Sequence, residues 1–90
     1  FSMKMEIDVK DIDSSNLYSI EYEFSAINGE AMLSYPSKTT GVLFATFRNG
    51  SRYRYPEVSV QDVMRIFLAD STGQMFNELI TKKHFNYEKL

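Results

Sequence analysis

The sequence predicts an α+β fold in which an antiparallel sheet of four or five strands carries two C-terminal helices packed on one face. Segments in which apolar and polar residues alternate recur between Met3 and Tyr55, and this period of two is typical of half-buried strands. Asn49-Gly50 separates two such segments and favours a type I′ hairpin turn. After Pro56 the apolar residues recur at intervals of three and four, which is the spacing of a helix.

The chain before residue 36 contains three predicted strands. Met3–Ile12 alternates apolar with charged residues and suits an edge strand or an arm that contacts a partner. Asp13–Asn16 has turn chemistry, and Leu17–Phe24 follows it as a second strand. Asn28-Gly29 is a hairpin signal, and Glu30–Tyr35 is predicted as the return strand. Alternation in the second strand predicts an apolar face made of Tyr18, Ile20, Tyr22 and Phe24.

The predicted hairpin around Asn49-Gly50 has two different faces. Pro36–Gly41 is a loop by composition, and Val42–Arg48 and Ser51–Tyr55 are the strands that flank the turn. Alternation along the second of these strands separates its aromatic from its basic side chains. One face then carries Tyr53 and Tyr55, and the other carries Arg52 and Arg54.

Two helices are predicted after Pro56. Ser59 is placed to cap the first helix, which should end near Asp70. Ser71 and Gln74 have the spacing of a capping box that begins the second helix. The predicted apolar positions are Val60, Val63, Met64 and Phe67 in the first helix and Met75, Phe76, Leu79 and Ile80 in the second.

The composition indicates one small domain. A chain of 90 residues, 43% hydrophobic and 14% aromatic, has enough apolar surface for a single core. It contains no cysteine, which excludes disulfides and thiolate zinc sites, and no apolar run approaches the roughly 20 residues that span a bilayer. We therefore expect a cytoplasmic protein with no membrane partner. Phe1 and Ser2 precede Met3 and are set aside as an expression remnant, so the predicted domain is residues 3–90.

The charge is unevenly distributed, although the net charge is only −2. Residues 1–34 carry two lysines and seven acids, whereas residues 35–56 carry four basic residues and no acid. A local positive segment in an acidic protein can hold an anion while the overall field discourages binding to duplex nucleic acid. The alternative is that these cations only solvate the outer face of a sheet.

The order and spacing of several residues resemble the KTSC domain, a short family found at the C-terminus of some lysyl-tRNA synthetases and as a stand-alone bacterial or phage protein. The resemblance covers most of residues 14–80. It rests on Ser14-Ser15-Asn16 ahead of the second strand, Tyr53-Arg54-Tyr55, Val58 before the first helix, and Ser71-x-Gly73-x-x-Phe76-Asn77. It implies a fold of this class and RNA binding, and it does not imply a mechanism.

The chain departs from the family pattern in two places. Residues 3–13 form an acidic extra strand ahead of the resemblance, and residues 25–41 form an enlarged hairpin or loop. Both are candidates for a specialised function.

The sequence predicts no catalytic residue, no metal site and no cofactor. His84 is the only histidine, and nothing in its spacing suggests a nucleophile and a carboxylate that would complete a triad. Asp8, Asp11 and Asp13 are spaced partly like a calcium loop but lack its glycine and its terminal glutamate. We therefore expect that the protein is not an enzyme.

The leading hypothesis is a non-catalytic binding module for a phosphate-containing ligand, either single-stranded RNA or a small nucleotide. Basic side chains would contact the phosphate, and a tyrosine or a loop residue would select the base. Whether the tyrosine face is the core or the binding surface stays open at this point. The candidate ligand-binding residues are Lys38, Arg48, Arg52, Arg54, Tyr53 and Tyr55.

Two alternatives involve a protein partner. In the first, the Met5-Ile7-Val9 strand adds to the sheet edge of a partner or closes a homo-oligomer. In the second, the chain is a phage inhibitor whose subunits sequester a cyclic nucleotide messenger between them. The small size, the absence of catalytic groups and the enlarged loop motivate the second alternative.

Overall fold

The computed structural model describes residues 3–9, 12, 14–26 and 39–90. The predicted return strand Glu30–Tyr35 and the candidate ligand residue Lys38 lie outside the described residues. The elements follow the order β1 (Met3–Val9), β2 (Leu17–Ala26), β3 (Thr40–Phe47), β4 (Arg52–Ser59), α1 (Val60–Leu68), α2 (Thr72–Phe76), a π-helix (Asn77–Thr81) and β5 (Glu88–Lys89).

The five strands form one antiparallel sheet in the order β1-β2-β3-β4-β5, so each strand pairs with its neighbour in the chain. The predicted α+β fold, with a sheet of four or five strands and two helices, is confirmed. The second helical segment is α2 continued by the π-helix. Residues from both helical segments join residues of β2, β3 and β4 in one hydrophobic core.

Rows of side chains in register across the sheet form the face beneath the helices. One row runs from Ile20 on β2 through Ala45 on β3 to Tyr53 on β4. The next row contains Tyr22, Leu43 and Tyr55, all of them buried. Cross-strand neighbours on one face contact each other directly, and the helices then cover both rows.

The predicted position of Tyr18 on the core face is wrong. The pairing of β2 with β3 shifts between Leu17 and Ser19, so the strand has one extra residue at this point. The extra residue reverses the alternation, and Leu17 is 2% exposed whereas Tyr18 is 39% exposed. A run of alternating residues in the sequence contains no signal for such a bulge.

A second bulge lies in β4 opposite Val42. Gly41 pairs with Val58 and Leu43 pairs with Tyr55, so two residues of β4 face one residue of β3. Glu57, one of those two, has a positive φ of 60°, which non-glycine residues rarely adopt. The bulge allows Tyr55 and Val58, three residues apart, to face the same core.

A buried hydrogen bond connects β2 with β4 across the intervening strand β3. The Tyr22 hydroxyl donates to the Val58 carbonyl at 2.7 Å, and both residues are fully buried. Burial raises the pKa of the Tyr22 phenol well above its ordinary value, with a smaller contribution from the nearby Asp62 carboxylate. The hydroxyl therefore keeps its proton and remains a donor.

Helix α1 begins as predicted, but the stripe of apolar residues that it buries differs slightly from the predicted one. The Ser59 hydroxyl accepts from the Asp62 N–H at 3.1 Å, which is the predicted cap. Val60, Val63 and Ile66 are buried, whereas Met64 is 50% exposed and was wrongly placed in the core stripe. The stripe is centred near Val63, and the next residue along a helix is turned about 100° away.

The second helical segment changes its hydrogen-bond pattern halfway along. Ser71 accepts from the Gln74 N–H at 3.3 Å, which confirms that it caps α2. After Phe76 the chain continues as a π-helix, and the Lys82 N–H donates to the Asn77 carbonyl five residues earlier. The predicted core residues Phe76, Leu79 and Ile80 are buried in this segment. Within the described ranges, no helix has both the length and the apolar character needed to cross a bilayer.

Substitution of Tyr22 by Phe should lower the free energy of unfolding by about 1–3 kcal/mol, because the buried Val58 carbonyl loses this donor. Urea unfolding followed by circular dichroism at neutral pH measures the change. Tyr18→Phe is the matched control and should stay within about 0.5 kcal/mol, because that residue is exposed. Equal stabilities of the Tyr22 and Tyr18 variants would contradict the structural role of the bond.

Burial of the Tyr22 phenol also predicts an alkaline limit to stability. The folded pKa of Tyr22 is raised above the ordinary value of 10.0, so its contribution is complete below about pH 10 and is lost as the pH rises further. The urea midpoint should therefore fall more steeply above pH 10 in the native chain than in Tyr22→Phe. The comparison with Tyr22→Phe isolates the contribution of this one phenol.

Candidate functional site

The structure brings two of the five predicted ligand residues that it describes into one cavity. Arg48 and Tyr53 line a cavity of about 350 Å³ at the turn end of the β3–β4 hairpin, which we name the hairpin cavity. Arg52 and Arg54 lie on the opposite face of β4, and Tyr55 is buried in the core. The remaining residues that line the hairpin cavity are Ser15, Asn16, Phe47, Asn49 and Ser51.

Arg48 is held in place by backbone carbonyls. Its Nε donates to the Ser14 carbonyl at 2.8 Å, and its Nη2 donates to the Ile12 carbonyl at 2.7 Å. Its backbone N–H donates to the Asn16 carbonyl at 2.7 Å. The guanidinium carbon lies 5.6 Å from the ring centroid of Tyr18, within the range of a cation–π contact. A fixed cation is therefore placed where the 14–16 turn meets the hairpin.

An aromatic cluster forms the wall between the hairpin cavity and the core. The Tyr53 ring meets the Phe47 ring edge-on at 5.6 Å and the Tyr87 ring at 5.8 Å. The Tyr55 ring meets the Phe76 ring edge-on at 5.9 Å and is 5% exposed. Burial raises the pKa of the Tyr55 phenol, and the neighbouring Tyr53 and Tyr87 raise it further. Tyr55 is thus a core anchor, whereas half-buried Tyr53 lines the cavity.

The two other arginines occupy a different environment. Arg52 is exposed, and its Nε donates to the Thr46 hydroxyl at 3.3 Å on the outer face of the sheet. Arg54 pairs in register with Phe44 on one side and with Glu88 on the other. Arg54 thus has an acidic residue as its cross-strand neighbour. These arginines and the hairpin cavity do not form one site.

A second cavity adjoins the first. We name it the polar cleft; it has a volume of about 390 Å³ and lies between the 14–16 turn and the second helical segment. Ser15, Asn16 and Phe47 line both cavities, so the two adjoin at these residues. The other lining residues of the polar cleft are Ser14, Leu17, Ser71, Gly73, Gln74, Phe76, Asn77 and Thr81. Sequence patterns did not indicate this cleft, because its walls are more than 50 residues apart in the chain.

One close contact determines how the two walls of the polar cleft meet. The Ser14 hydroxyl accepts from the N–H groups of Asn16 and Leu17, both at 3.2 Å, and so fixes the turn. A Cβ atom on Gly73 would lie 2.7 Å from the Ser14 Oγ and 3.1 Å from the Ser14 Cβ. Only glycine permits this approach of α2 to the turn without a shift.

A third surface is apolar and lies on the far side of α1. Met64, Leu68 and Met75 line a groove of about 440 Å³ together with Gln61, Arg65 and Ala69. Leu68 is 81% exposed in this groove. Among the described residues that line this groove, Arg65 is the only charged one, so they offer no charged constellation suited to an anion.

The described part of the chain contains no group of three His, Cys, Asp or Glu side chains that could hold a metal ion. His84 lies after the π-helix, where its backbone N–H donates to the Ile80 carbonyl at 2.8 Å. The polar side chains that the described residues contribute to the two adjoining cavities carry a guanidinium, hydroxyls and amides. Such groups bind and orient a ligand through hydrogen bonds and charge.

Substitution of Gly73 by Ala should destabilise the fold by about 1–2 kcal/mol, because the clash with Ser14 exceeds the gain in helix propensity. In a Ser14→Gly background the same substitution should leave the free energy of unfolding unchanged or raise it, since both contacting atoms of Ser14 are absent. Urea unfolding of the four chains gives the coupling energy directly. An equal cost of Gly73→Ala in both backgrounds would show that this contact does not set the approach of α2.

No protein-family model matches the chain, and no curated protein sequence matches it. The resemblance to the KTSC domain stays a prediction.

Proposed function

We propose that the protein is a non-catalytic binding module for a phosphate-containing ligand and that the hairpin cavity receives the phosphate. One observation carries the proposal, namely that a fixed guanidinium, an aromatic edge and several hydroxyl and amide groups line the same open cavity. A small nucleotide and single-stranded RNA both present the complementary groups, a phosphate beside a planar base.

The position of Arg48 supports binding of an anion. Hydrogen bonds to charged groups are stronger than those between neutral groups, and a planar guanidinium suits phosphate oxygens. Two carbonyls already hold the side chain, so little side-chain entropy remains to be lost when a ligand binds. The cavity therefore offers a preorganised cation.

The ring of Tyr53 and the ring of Phe47 support binding of a base. Both rings line the cavity, and neither is fully buried. Base–aromatic contacts are worth about 1–3 kcal/mol each and depend little on which base is present. Hydroxyl and amide groups at the rim, including those of Asn49 and Ser51, can then discriminate between bases through hydrogen bonds.

The size of the cavity favours a small nucleotide over a long strand. A volume of about 350 Å³ falls at the lower end of the range for small-molecule sites, which is roughly 300–1,000 Å³. The net charge of −2 gives no long-range attraction to a polyanion. A mononucleotide or one nucleotide of a strand fits these two observations.

Substitution of Arg48 by Gln should weaken the binding of adenosine 5′-monophosphate about tenfold or more, because a charged hydrogen bond of about 1.5–3 kcal/mol is lost. Isothermal titration calorimetry at low salt measures the affinity. Arg65→Gln is the matched control, since Arg65 is an exposed arginine of the apolar groove, and it should bind like the native chain.

Two outcomes would contradict this assignment. No binding of the nucleotide or of a short single-stranded RNA to the native chain would remove the proposed function. Loss of binding in an Arg52→Gln, Arg54→Gln double variant, with Arg48→Gln unaffected, would move the site to the outer face of the sheet. Thermal melting of each variant establishes that it is folded.

A protein-interaction module is the second candidate function, and the position of β1 favours it. Strand β1 has seven residues and lies at the edge of the sheet, where β2 is its only partner among the described strands. A long edge strand is a template for an added strand. Strand β1 is rich in acidic residues in the sequence, and in register Glu6 pairs with Glu23 and Asp8 with Glu21, which favours a basic partner strand.

Deletion of residues 3–9 should abolish a complex that forms through the β1 edge, because the added strand loses its hydrogen-bonding partner. The deletion stops before the buried Ile12, which belongs to the core. Size-exclusion chromatography with light scattering measures the mass of the native and the shortened chain. An oligomer that survives the deletion would contradict assembly through β1. The phage inhibitor that holds a cyclic nucleotide between subunits would combine both candidate functions and stays a prediction.

A further inference from the structure

The hairpin cavity and the polar cleft adjoin to make a groove whose two parts differ in chemistry. Ser15, Asn16 and Phe47 line both cavities. Arg48 lines the hairpin cavity, whereas none of the described residues that line the polar cleft is charged. A ligand that fills the groove therefore has an anionic part next to an uncharged polar part.

The polar cleft contains hydrogen-bonding groups that the fold does not use. The hydroxyls of Ser14 and Ser71 each accept from backbone N–H groups and so serve the turn and the cap. In contrast, the side chains of Gln74, Asn77 and Thr81 are exposed and make no hydrogen bond to other described residues. Amides and hydroxyls donate and accept at once, as the hydroxyl groups of a sugar also do.

The π-helix places two of these groups on the wall of the cleft. Asn77 and Thr81 are its first and last residues, and both line the cleft. Leu79 and Ile80, between them, are buried in the core. A π-helical turn is less favourable than an α-helical one and is frequent at functional sites. Here the wide turn keeps the apolar pair inside and presents the polar pair to the cleft.

The lining of the cleft also suits the carbon skeleton of a sugar. Half-buried Phe47 is the most accessible apolar residue of its lining, whereas Phe76 and Leu17, which also line it, are each only 2% exposed. Small-molecule sites combine an apolar surface with a few polar groups that fix the orientation of the ligand. An uncharged ring with several hydroxyls matches this combination better than a second phosphate does.

We infer that the polar cleft binds the sugar hydroxyls of a ligand whose phosphate lies beside Arg48, so that the groove recognises a sugar phosphate. This inference rests on the proposed function of the hairpin cavity. The ribose of a nucleotide and a free pentose phosphate share the chemistry, and the experiment distinguishes them.

The test compares phosphate ligands that carry or lack the sugar hydroxyls and the base. Adenosine 5′-monophosphate, its 2′,3′-dideoxy analogue, ribose 5-phosphate and inorganic phosphate are titrated into the native chain by calorimetry. The ribonucleotide should bind about tenfold more tightly than the dideoxy analogue, because two hydroxyl hydrogen bonds are lost. In an Asn77→Ala, Thr81→Val double variant the ratio of the two affinities should fall to about one. Glu78→Gln changes an exposed residue of the same π-helix that does not line the cleft, and it should keep the native ratio.

The outcomes separate the inference from the proposed function. Equal binding of the two nucleotides to the native chain, or a ratio that survives in the double variant, would overturn the sugar subsite and leave the phosphate site intact. No binding of any of the four ligands would overturn both. Ribose 5-phosphate that binds as tightly as the ribonucleotide would support the inference with a free sugar phosphate as the ligand. Weaker binding of ribose 5-phosphate, with the hydroxyl dependence retained in the nucleotides, would support it with a nucleotide.

Discussion

The hydrogen bond from the Tyr22 hydroxyl to the Val58 carbonyl fixes the point at which the sheet turns into helices. Val58 faces the core only because the bulge at Glu57 reverses the alternation of β4. Two residues later α1 begins, capped by Ser59. A straight strand would direct the chain to the other face of the sheet, and the helices would then cover the outer arginines. The helical wall of the polar cleft therefore depends on two residues outside the cleft, namely Glu57 with its strained backbone and Tyr22 with its buried phenol.

The candidate site is assembled from short segments that polar contacts hold together. Backbone carbonyls of Ile12 and Ser14 anchor Arg48, and the Ser14 hydroxyl closes the adjoining turn. The same turn is approached by α2 at Gly73. The residue that supplies the positive charge is thus also the residue that attaches the turn to the hairpin. The Arg48 side chain thus contributes to both stability and the proposed binding. A substitution that removes its charge therefore needs a control for folding.

Local sequence signals predicted the parts of the fold that depend on local physics. Asn49-Gly50 marked the hairpin, and Ser59 and Ser71 marked the starts of both helices, because turn and cap preferences act over a few residues. The two bulges, the π-helix and β5 were not predictable in this way. Each depends on which residue meets which neighbour across the sheet, and alternation or helical spacing reports only an average period. Tyr18 and Met64 were misplaced for this reason.

Prediction of the candidate site succeeded only in part. Arg48 and Tyr53 were identified by charge and aromatic character, whereas Phe47 looked like one more apolar strand residue. Ser15 and Asn16 belong to the site because a hydrogen bond to Arg48 connects residues more than 30 positions apart. That proximity is a product of the folded sheet, and no spacing in the chain encodes it.

The turn at the rim of the hairpin cavity is also a site at which an asparagine can deamidate. An asparagine followed by glycine tends to deamidate, since the backbone nitrogen of glycine is unhindered and can attack the side-chain amide carbon of asparagine. Ring closure expels ammonia, and water then opens the succinimide ring to give a carboxylic acid. Here the Gly50 N–H donates to the Phe47 carbonyl, and the Asn49 side chain accepts from the Ser51 N–H, so the folded turn restrains both reacting groups. Once the turn opens, conversion of Asn49 would set a permanent negative charge beside Arg48. The stability of the folded hairpin turn thus limits how long the cavity keeps its net positive charge.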